Sequence, residues 1–63
     1  MKIFIERENK TVNLKVKTVK EILNKLKINP ETVLTVVNDE LVVEDKKLSD
    51  KDQVKILSVI SGG

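Results

Sequence analysis

The chain of 63 residues carries 12 basic and 10 acidic side chains, for a formal net charge of +2, and 40% of its residues are hydrophobic. A domain of this length buries only about 60% of the surface of its unfolded chain, so one small core is the most that it can build. The chain has neither cysteine nor histidine, which excludes disulfides, thiolate metal sites and the commonest general base. A self-contained enzyme is therefore not expected.

The same composition argues against nucleic acids and membranes as partners. Charges of both signs are interspersed, Arg7 is the single arginine and Phe4 is the single aromatic residue, whereas nucleic-acid readers concentrate both residue types on one face. The longest apolar runs are far shorter than the ~20 residues that span a bilayer. Charged residues 6–8 end the short apolar run at the N-terminus, which does not fit a signal peptide. We expect a cytoplasmic monomer.

The first third of the chain predicts a β-hairpin. Residues 2–6 form a short run rich in β-branched side chains, and Val12, Leu14 and Val16 alternate with polar residues. Alternation with a period of two is typical of a half-buried strand. Asn9 lies between the two runs and is a natural turn residue, so the runs are predicted to pair.

A helix is predicted over residues 18–28. Thr18 and Glu21 form a Thr-x-x-Glu capping box, in which each side chain accepts a hydrogen bond from the backbone N–H of the other residue. The apolar residues that follow have helical spacing and form one stripe: Val19, Ile22, Leu23 and Leu26. Pro30 disfavours helical geometry at Asn29, so the helix is expected to end there.

Three further strands are predicted in the second half. Residues 33–37 are apolar on both faces, which favours an internal or partly covered strand. Residues 38–40 turn the chain into a strand over 41–43, and Leu48 is predicted to fill the core from the charged loop that follows. After a turn at 49–52, the last strand is predicted over 54–60.

The element order β-β-α-β-β-β predicts an α+β protein with a mixed sheet and one helix packed on one face. Crossover connections between parallel strands are right-handed, and the economical solution is a β-grasp (ubiquitin-like) fold with the first and last strands parallel at the centre. The β-grasp domain is predicted to cover residues 1–60. Residues 61–63 are predicted to be a flexible Ser-Gly-Gly tail.

Strand alternation also predicts a partner-binding strip on the helix-free face. If Ile3 and Ile5 face the helix, Phe4 faces away from it. If Val54 and Ile56 belong to the core, Leu57 and Val59 point to the other face. Together with Ser61 of the tail, Phe4, Leu57 and Val59 are therefore predicted to contact a partner protein, because an exposed apolar patch commonly marks such a surface.

The only two glycines in the sequence are Gly62 and Gly63. Without a Cβ, both can thread a narrow channel, and Gly62 gives a partner access to the open carboxylate of Gly63. A free carboxylate is a poor electrophile until it becomes an acyl-adenylate, which requires ATP and Mg²⁺ held by a second protein. The chain itself is expected to bind no cofactor and no metal, because its paired carboxylates lack the ligand count of a cation site.

At this stage the sequence resembles the ubiquitin-like β-grasp family, especially the ThiS/MoaD sulfur carriers and the small archaeal modifiers. The resemblance covers the whole chain, most clearly at residues 1–5, 36–42 and 48–63. It departs at Asp39 and Lys51, where the carriers commonly have glycine. The resemblance implies that a ThiF-type (E1-like) enzyme adenylates Gly63 and that sulfur transfer then gives a thiocarboxylate.

Three functions stay open from the sequence. A sulfur carrier would take sulfur from a donor and deliver it to a synthase of thiamine or molybdopterin, or to tRNA thiolation. A protein modifier would be joined through Gly63 to lysines of target proteins, by the same chemistry until the acceptor step. A plain β-grasp interaction module would carry its Gly-Gly end without using it.

Overall fold

The computed structural model describes residues 1–59, which form five strands and one α-helix. The predicted element order is confirmed. Ile60 and the predicted tail lie outside the described residues, so the boundary between domain and tail stays a prediction. The strands are β1 (Lys2–Ile5), β2 (Lys10–Asn13), β3 (Val33–Val37), β4 (Glu40–Val42) and β5 (Gln53–Ser58), the helix α1 is Val19–Lys25, and 3₁₀ turns lie at Glu6–Glu8 and Pro30–Thr32.

All five strands form one mixed sheet in the order β2-β1-β5-β3-β4. The central strands β1 and β5 run parallel, and every other neighbouring pair is antiparallel. With α1 packed on one face, this is the predicted β-grasp fold. Within residues 1–59, no helix is long and apolar enough to cross a membrane.

The core lies between α1 and the sheet, and its composition follows from the two periodicities in the sequence. Alternate residues of β1 and β5 point toward the helix, and the apolar stripe of α1 points back at them. Among residues 1–59, the core consists of nine buried apolar residues: Ile3, Ile5, Val16, Val19, Ile22, Leu23, Val37, Val54 and Ile56. Leu48 packs against this cluster from its loop, as predicted.

Strand β2 begins earlier than the alternation indicates. It covers Lys10–Asn13, whereas the alternating pattern extends to Val16. The pairing ends at Asn13 because its partner, Lys2, is the first residue of β1. One further hydrogen bond follows, from the Leu14 N–H to the Met1 carbonyl (3.1 Å). Val16 still reaches the core after the strand has ended.

The N-terminus of α1 is capped by a side chain and by a distant loop. The Thr18 hydroxyl accepts from the Glu21 N–H (3.3 Å), as predicted. The reciprocal bond of the capping box is not formed within residues 1–59. Instead, the N–H groups of the first two helical residues donate to the carbonyls of Lys46 (3.2 Å) and Glu44 (2.9 Å). The loop therefore satisfies donors that a helix leaves unpaired at its start.

The C-terminus of α1 comes earlier than predicted. The helix ends at Lys25, because Lys27 adopts a left-handed conformation with φ of 56°. The Ile28 N–H donates to the Leu23 carbonyl (2.9 Å) and the Lys27 N–H to the Asn24 carbonyl (3.2 Å). This pair of bonds defines a Schellman motif. The helix therefore ends at this motif and not at Asn29, where the effect of Pro30 was expected to end it.

Replacing Lys27 by glycine is expected to stabilise the protein. A left-handed conformation costs a residue with a Cβ about 1–2 kcal/mol, and glycine avoids this cost but loses more entropy on folding. We expect Lys27→Gly to raise the free energy of unfolding by about 0.5–1 kcal/mol, measured by urea denaturation. The matched change Lys25→Gly, at the last residue of the helix, gains nothing from a positive φ and should lower it, by up to about 1 kcal/mol. A destabilised Lys27→Gly variant would contradict the strain argument.

The chain makes its hairpin turns without glycine. Asn9 (φ 48°), Asn38 (φ 51°) and Asp39 (φ 68°) occupy the left-handed region instead. Two consecutive residues with positive φ are the signature of a type I′ turn, which matches the twist of the strands it joins. Asp39 thus takes the conformation that the carriers commonly give to glycine, whereas Lys51 is not among the residues with positive φ.

A hydrogen-bonded clasp joins the turn at 49–52 to the β3–β4 turn. The Asp52 carboxylate accepts from the Ser49 N–H (2.8 Å) and from the Asn38 side-chain amide (2.9 Å). The Asn38 amide oxygen in turn accepts from the Gln53 N–H (3.0 Å). The bonds from Ser49 and then from Asn38 favour the charged form and lower the pKa of Asp52 below its ordinary value of 3.8.

The clasp makes stability depend on pH. Because the folded pKa of Asp52 is lowered, its contribution is present above the unfolded pKa and is lost as pH falls through the folded pKa. We expect the free energy of unfolding to decline below about pH 4, and less steeply in Asp52→Asn. The control Asp50→Asn changes a neighbouring exposed carboxylate and should keep the wild-type slope. If the free energy of unfolding falls equally steeply with pH in all three proteins, the clasp is not the source of the pH dependence.

Candidate docking face and C-terminal tail

The face of the sheet that points away from α1, called here the outer face, carries a connected set of apolar side chains. Strand register places Phe4 beside Lys55, Lys55 beside Val36, and Val36 beside Leu41. This row crosses β1, β5, β3 and β4. Two residues further along, Leu57 on β5 pairs with Leu34 on β3, and residues paired across a sheet share a face.

The side chains of the outer face are open to solvent to different degrees. Phe4, Val36 and Leu57 are half-buried. Leu34 is 44% exposed and Leu41 is 62% exposed. The outer face is therefore an apolar surface that a partner protein can cover, since contiguous patches of this kind commonly mark interaction sites.

The last described residue, Val59, lies just beyond the end of β5. It continues the alternation of that strand and is 44% exposed. Its N–H donates to the Thr32 carbonyl (3.1 Å), and the preceding Ser58 N–H donates to the Glu6 carboxylate (3.1 Å). The end of β5 is thus held from both sides. The predicted site residues Ser61, Gly62 and Gly63 lie outside the described residues.

The structure places Phe4 and Leu57 on the face that the alternation predicts for them. It adds three residues that the sequence reasoning did not assign to this face: Leu34, Val36 and Leu41. The sequence did carry a signal for Leu34 and Val36. Strand β3 has apolar residues at both odd and even positions, so when residues 35 and 37 face the core, residues 34 and 36 face away from it. Which strands flank β3 depends on sheet order and register, which the sequence pattern does not specify.

The charged side chains on the outer face of the described sheet include Lys2 and Lys55, and both are exposed. Lys55 lies between Phe4 and Val36, and its ammonium group is 4.0 Å from the carboxylate of Asp39, which is itself almost fully exposed. Such a surface pair contributes little to stability. Across residues 1–59, the acidic side chains form no group of three or more that could hold a metal ion.

These features define a β-grasp protein whose helix-free sheet face carries apolar side chains. The sequence profile of the ThiS family matches residues 2–63, and the chain belongs to the ThiS family. The match extends through Gly62 and Gly63, so it includes the segment outside the described residues.

Individual relatives agree with this assignment. The chain is 39% identical over 57 residues to the sulfur carrier protein TtuB of Thermus thermophilus, covering 89% of this chain and 88% of that protein. Its fold resembles the crystal structure of thiamine biosynthesis protein ThiS from Geobacter metallireducens, with a TM-score of 0.64, 24% identity and full coverage of both chains. A solution structure of a thiamine biosynthesis protein from the same organism gives a TM-score of 0.62 at 26% identity, covering all of this chain and 88% of that one.

Proposed function

We propose that this protein is a sulfur carrier and that the carboxylate of Gly63 is its chemical site. The observation that carries the proposal is the family match through the Gly-Gly segment, which is supported by similarity to a protein named a sulfur carrier. The pathway is a separate question, because one relative is named a sulfur carrier protein and another a thiamine biosynthesis protein. Thiamine synthesis, molybdopterin synthesis and tRNA thiolation all fit the same chemistry.

The proposed reaction needs a partner enzyme at its first step. A carboxylate oxygen of Gly63 attacks the α-phosphorus of ATP, pyrophosphate leaves, and an acyl-adenylate forms. A hydrosulfide ion supplied by a sulfur donor then attacks the Gly63 carbonyl carbon and displaces AMP, and loss of the S–H proton leaves a thiocarboxylate. An E1-like enzyme of the ThiF type holds the ATP and Mg²⁺ and stabilises the phosphate charge. The carrier itself is not a catalyst.

The body of the protein would bring Gly63 to that enzyme. Ordering a flexible segment costs about 1–2 kcal/mol per residue in backbone entropy, and docking of the outer face offsets this cost. Leu57 and Val59 lie at the end of β5 that leads to the segment, Phe4 lies level with Lys55, and Ser61 would add contacts within the segment. A chain extends at most ~3.6 Å per residue, so the four residues after Val59 reach ~14 Å into a partner's active site.

The proposal is tested by expressing the chain together with an E1-like enzyme and a sulfur donor, followed by intact-mass analysis. The expected product is the unconjugated chain with one oxygen of Gly63 replaced by sulfur. Unchanged carboxylate as the only product would contradict the proposal. Isopeptide-linked Ser-Gly-Gly remnants on lysines of other proteins, without any thiocarboxylate, would instead establish the modifier function.

A further inference from the structure

A groove of about 590 Å³ lies at the β4 edge of the sheet, the edge opposite to β2. Its apolar lining combines residues of β3 and β4 with the segments beside them: Pro30, Val33, Leu34, Leu41 and Val43. Its charged lining residues are Glu31 and Glu44. The groove shares Leu34 and Leu41 with the outer face, whereas the proposed function does not use its other lining residues, among them Pro30, Val43 and Glu44.

The groove exists because β4 leaves the sheet early. Strand β4 pairs with β3 only as far as Val42 opposite Thr35. The chain then turns away, and the Glu44 carbonyl accepts from the Lys20 N–H at the start of α1. Val33 and Leu34 therefore have a strand neighbour on the β5 side and none on the β4 side. Beyond them, β4 itself is an edge strand with unpaired backbone groups.

The apolar side chains around the groove are unusually exposed to solvent. Val43 is 73% exposed and Leu41 is 62% exposed, the highest values among the large hydrophobic residues of the described chain. Leu34 adds a further 44% exposed side chain. Burial of these side chains by a partner would release water from apolar surface, which is the main favourable term in association.

The charge of this edge is opposite to that of the whole chain. Residues 39–45 contain four carboxylates and no basic residue, although the net charge of the protein is +2. Glu44 belongs to this segment, and Glu31 faces the same groove. A positively charged occupant is favoured here, because complementary charge steers association and suppresses wrong partners.

We propose that this groove binds an extended segment of a partner protein in which apolar residues alternate with lysine or arginine. The segment would lie beside Val33 and Leu34, on the side of β3 that β4 leaves uncovered, and its backbone would bond to that open edge. Its apolar side chains would contact the apolar lining, and its basic side chains would lie close to the carboxylates of Glu31 and Glu44. This proposal is independent of the chemistry at Gly63, and it gives the carrier a second contact with its partners.

The test uses the full chain labelled with nitrogen-15 and a synthetic peptide of alternating valine and lysine. Titration should shift the backbone amides of Leu34, Leu41 and Val43. The same peptide with glutamate in place of lysine should bind at least about tenfold more weakly. Glu44→Lys should lower affinity for the lysine peptide by about tenfold or more, whereas Asp50→Lys, the same charge change away from the groove, should leave it within about twofold.

Three outcomes would overturn the proposal: no shift at the groove amides, equal binding of both peptides, or shifts centred on Phe4 and Leu57. A fourth outcome concerns self-association. If the mass measured by light scattering rises with protein concentration, and Glu44→Lys abolishes that rise, the occupant of the groove is a second copy of the chain and the proposal is overturned. Amide spectra of the free variants show whether they are folded. None of these results changes the expected thiocarboxylate at Gly63, so the two proposals fail separately.

Discussion

Deletion of Gly62 and Gly63 is expected to abolish thiocarboxylate formation and to leave stability unchanged. The deletion removes the proposed reactive carboxylate from the position at which a partner's nucleotide site would receive it. The nine buried apolar residues of the described part of the chain extend from Ile3 to Ile56, so the deletion leaves all nine in place. We expect no thiocarboxylated product by intact mass, and a free energy of unfolding within about 0.5 kcal/mol of wild type by urea denaturation.

A double substitution of both glycines by alanine is the matched control for that deletion. It keeps the chain length and the terminal carboxylate but adds two Cβ atoms, so a narrow channel should slow the reaction without abolishing it. If the wild type and both variants form no thiocarboxylate and bind the same partner equally well, the chain is a plain interaction module, in which the Gly-Gly end has no function.

The substitution Leu57→Asp is expected to have the second largest effect. Leu57 is half-buried on the outer face beside Leu34, and a carboxylate there would be desolvated without a partner when the E1-like enzyme docks. An anchor side chain of an interface carries about 2 kcal/mol or more, which corresponds to a loss of about 30-fold or more in the rate of adenylation at subsaturating carrier. The measurement is pyrophosphate release at limiting carrier concentration.

Two control variants separate docking from folding and from charge. Leu57→Met keeps an apolar side chain of similar volume and should retain most of the rate. Asn24→Asp adds the same charge on the solvent-exposed side of α1 and should behave as wild type. If Leu57→Asp is folded by thermal melting and adenylated at the wild-type rate, the outer face is not the docking surface.

Much of the fold could be predicted because local patterns and global topology agree. Period-two alternation in β1 and β5 identified Ile3, Ile5, Val54 and Ile56 as core residues, and the helical stripe identified their partners on α1. The parallel pairing at the sheet centre followed from the element order and the handedness of crossovers. These signals come from the spacing of the apolar residues, and the packing of α1 on the sheet favours the same arrangement.

The differences arise where a distant segment decides the local structure. Lys27 ends α1 in a left-handed conformation that lysine alone does not favour, because the Schellman bonds and the packing of Ile28 hold it there. Only the Thr18 half of the capping box forms, and loop carbonyls of Glu44 and Lys46 accept from the next two N–H groups of the helix start, which a local pattern does not predict. Leu34 and Val36 belong to the outer face because of strand register, which depends on the whole sheet.

The chemistry proposed for Gly63 depends on the sequence more than on the fold. A β-grasp domain supports many functions, so the fold alone does not specify sulfur transfer. The family match through the Gly-Gly segment supplies that argument. The structure contributes the outer face and the anchored end of β5, which make docking and delivery of the segment physically reasonable.

The most direct test of the proposed function is the mass of the C-terminal peptide from protein isolated in its native cells under non-reducing, rapid conditions. The account predicts a fraction of chains ending in Gly63 with one oxygen replaced by sulfur, and loss of that fraction when the E1-like enzyme is removed. A C-terminal carboxylate in every chain, in cells with an active E1-like enzyme and sulfur donor, would contradict it.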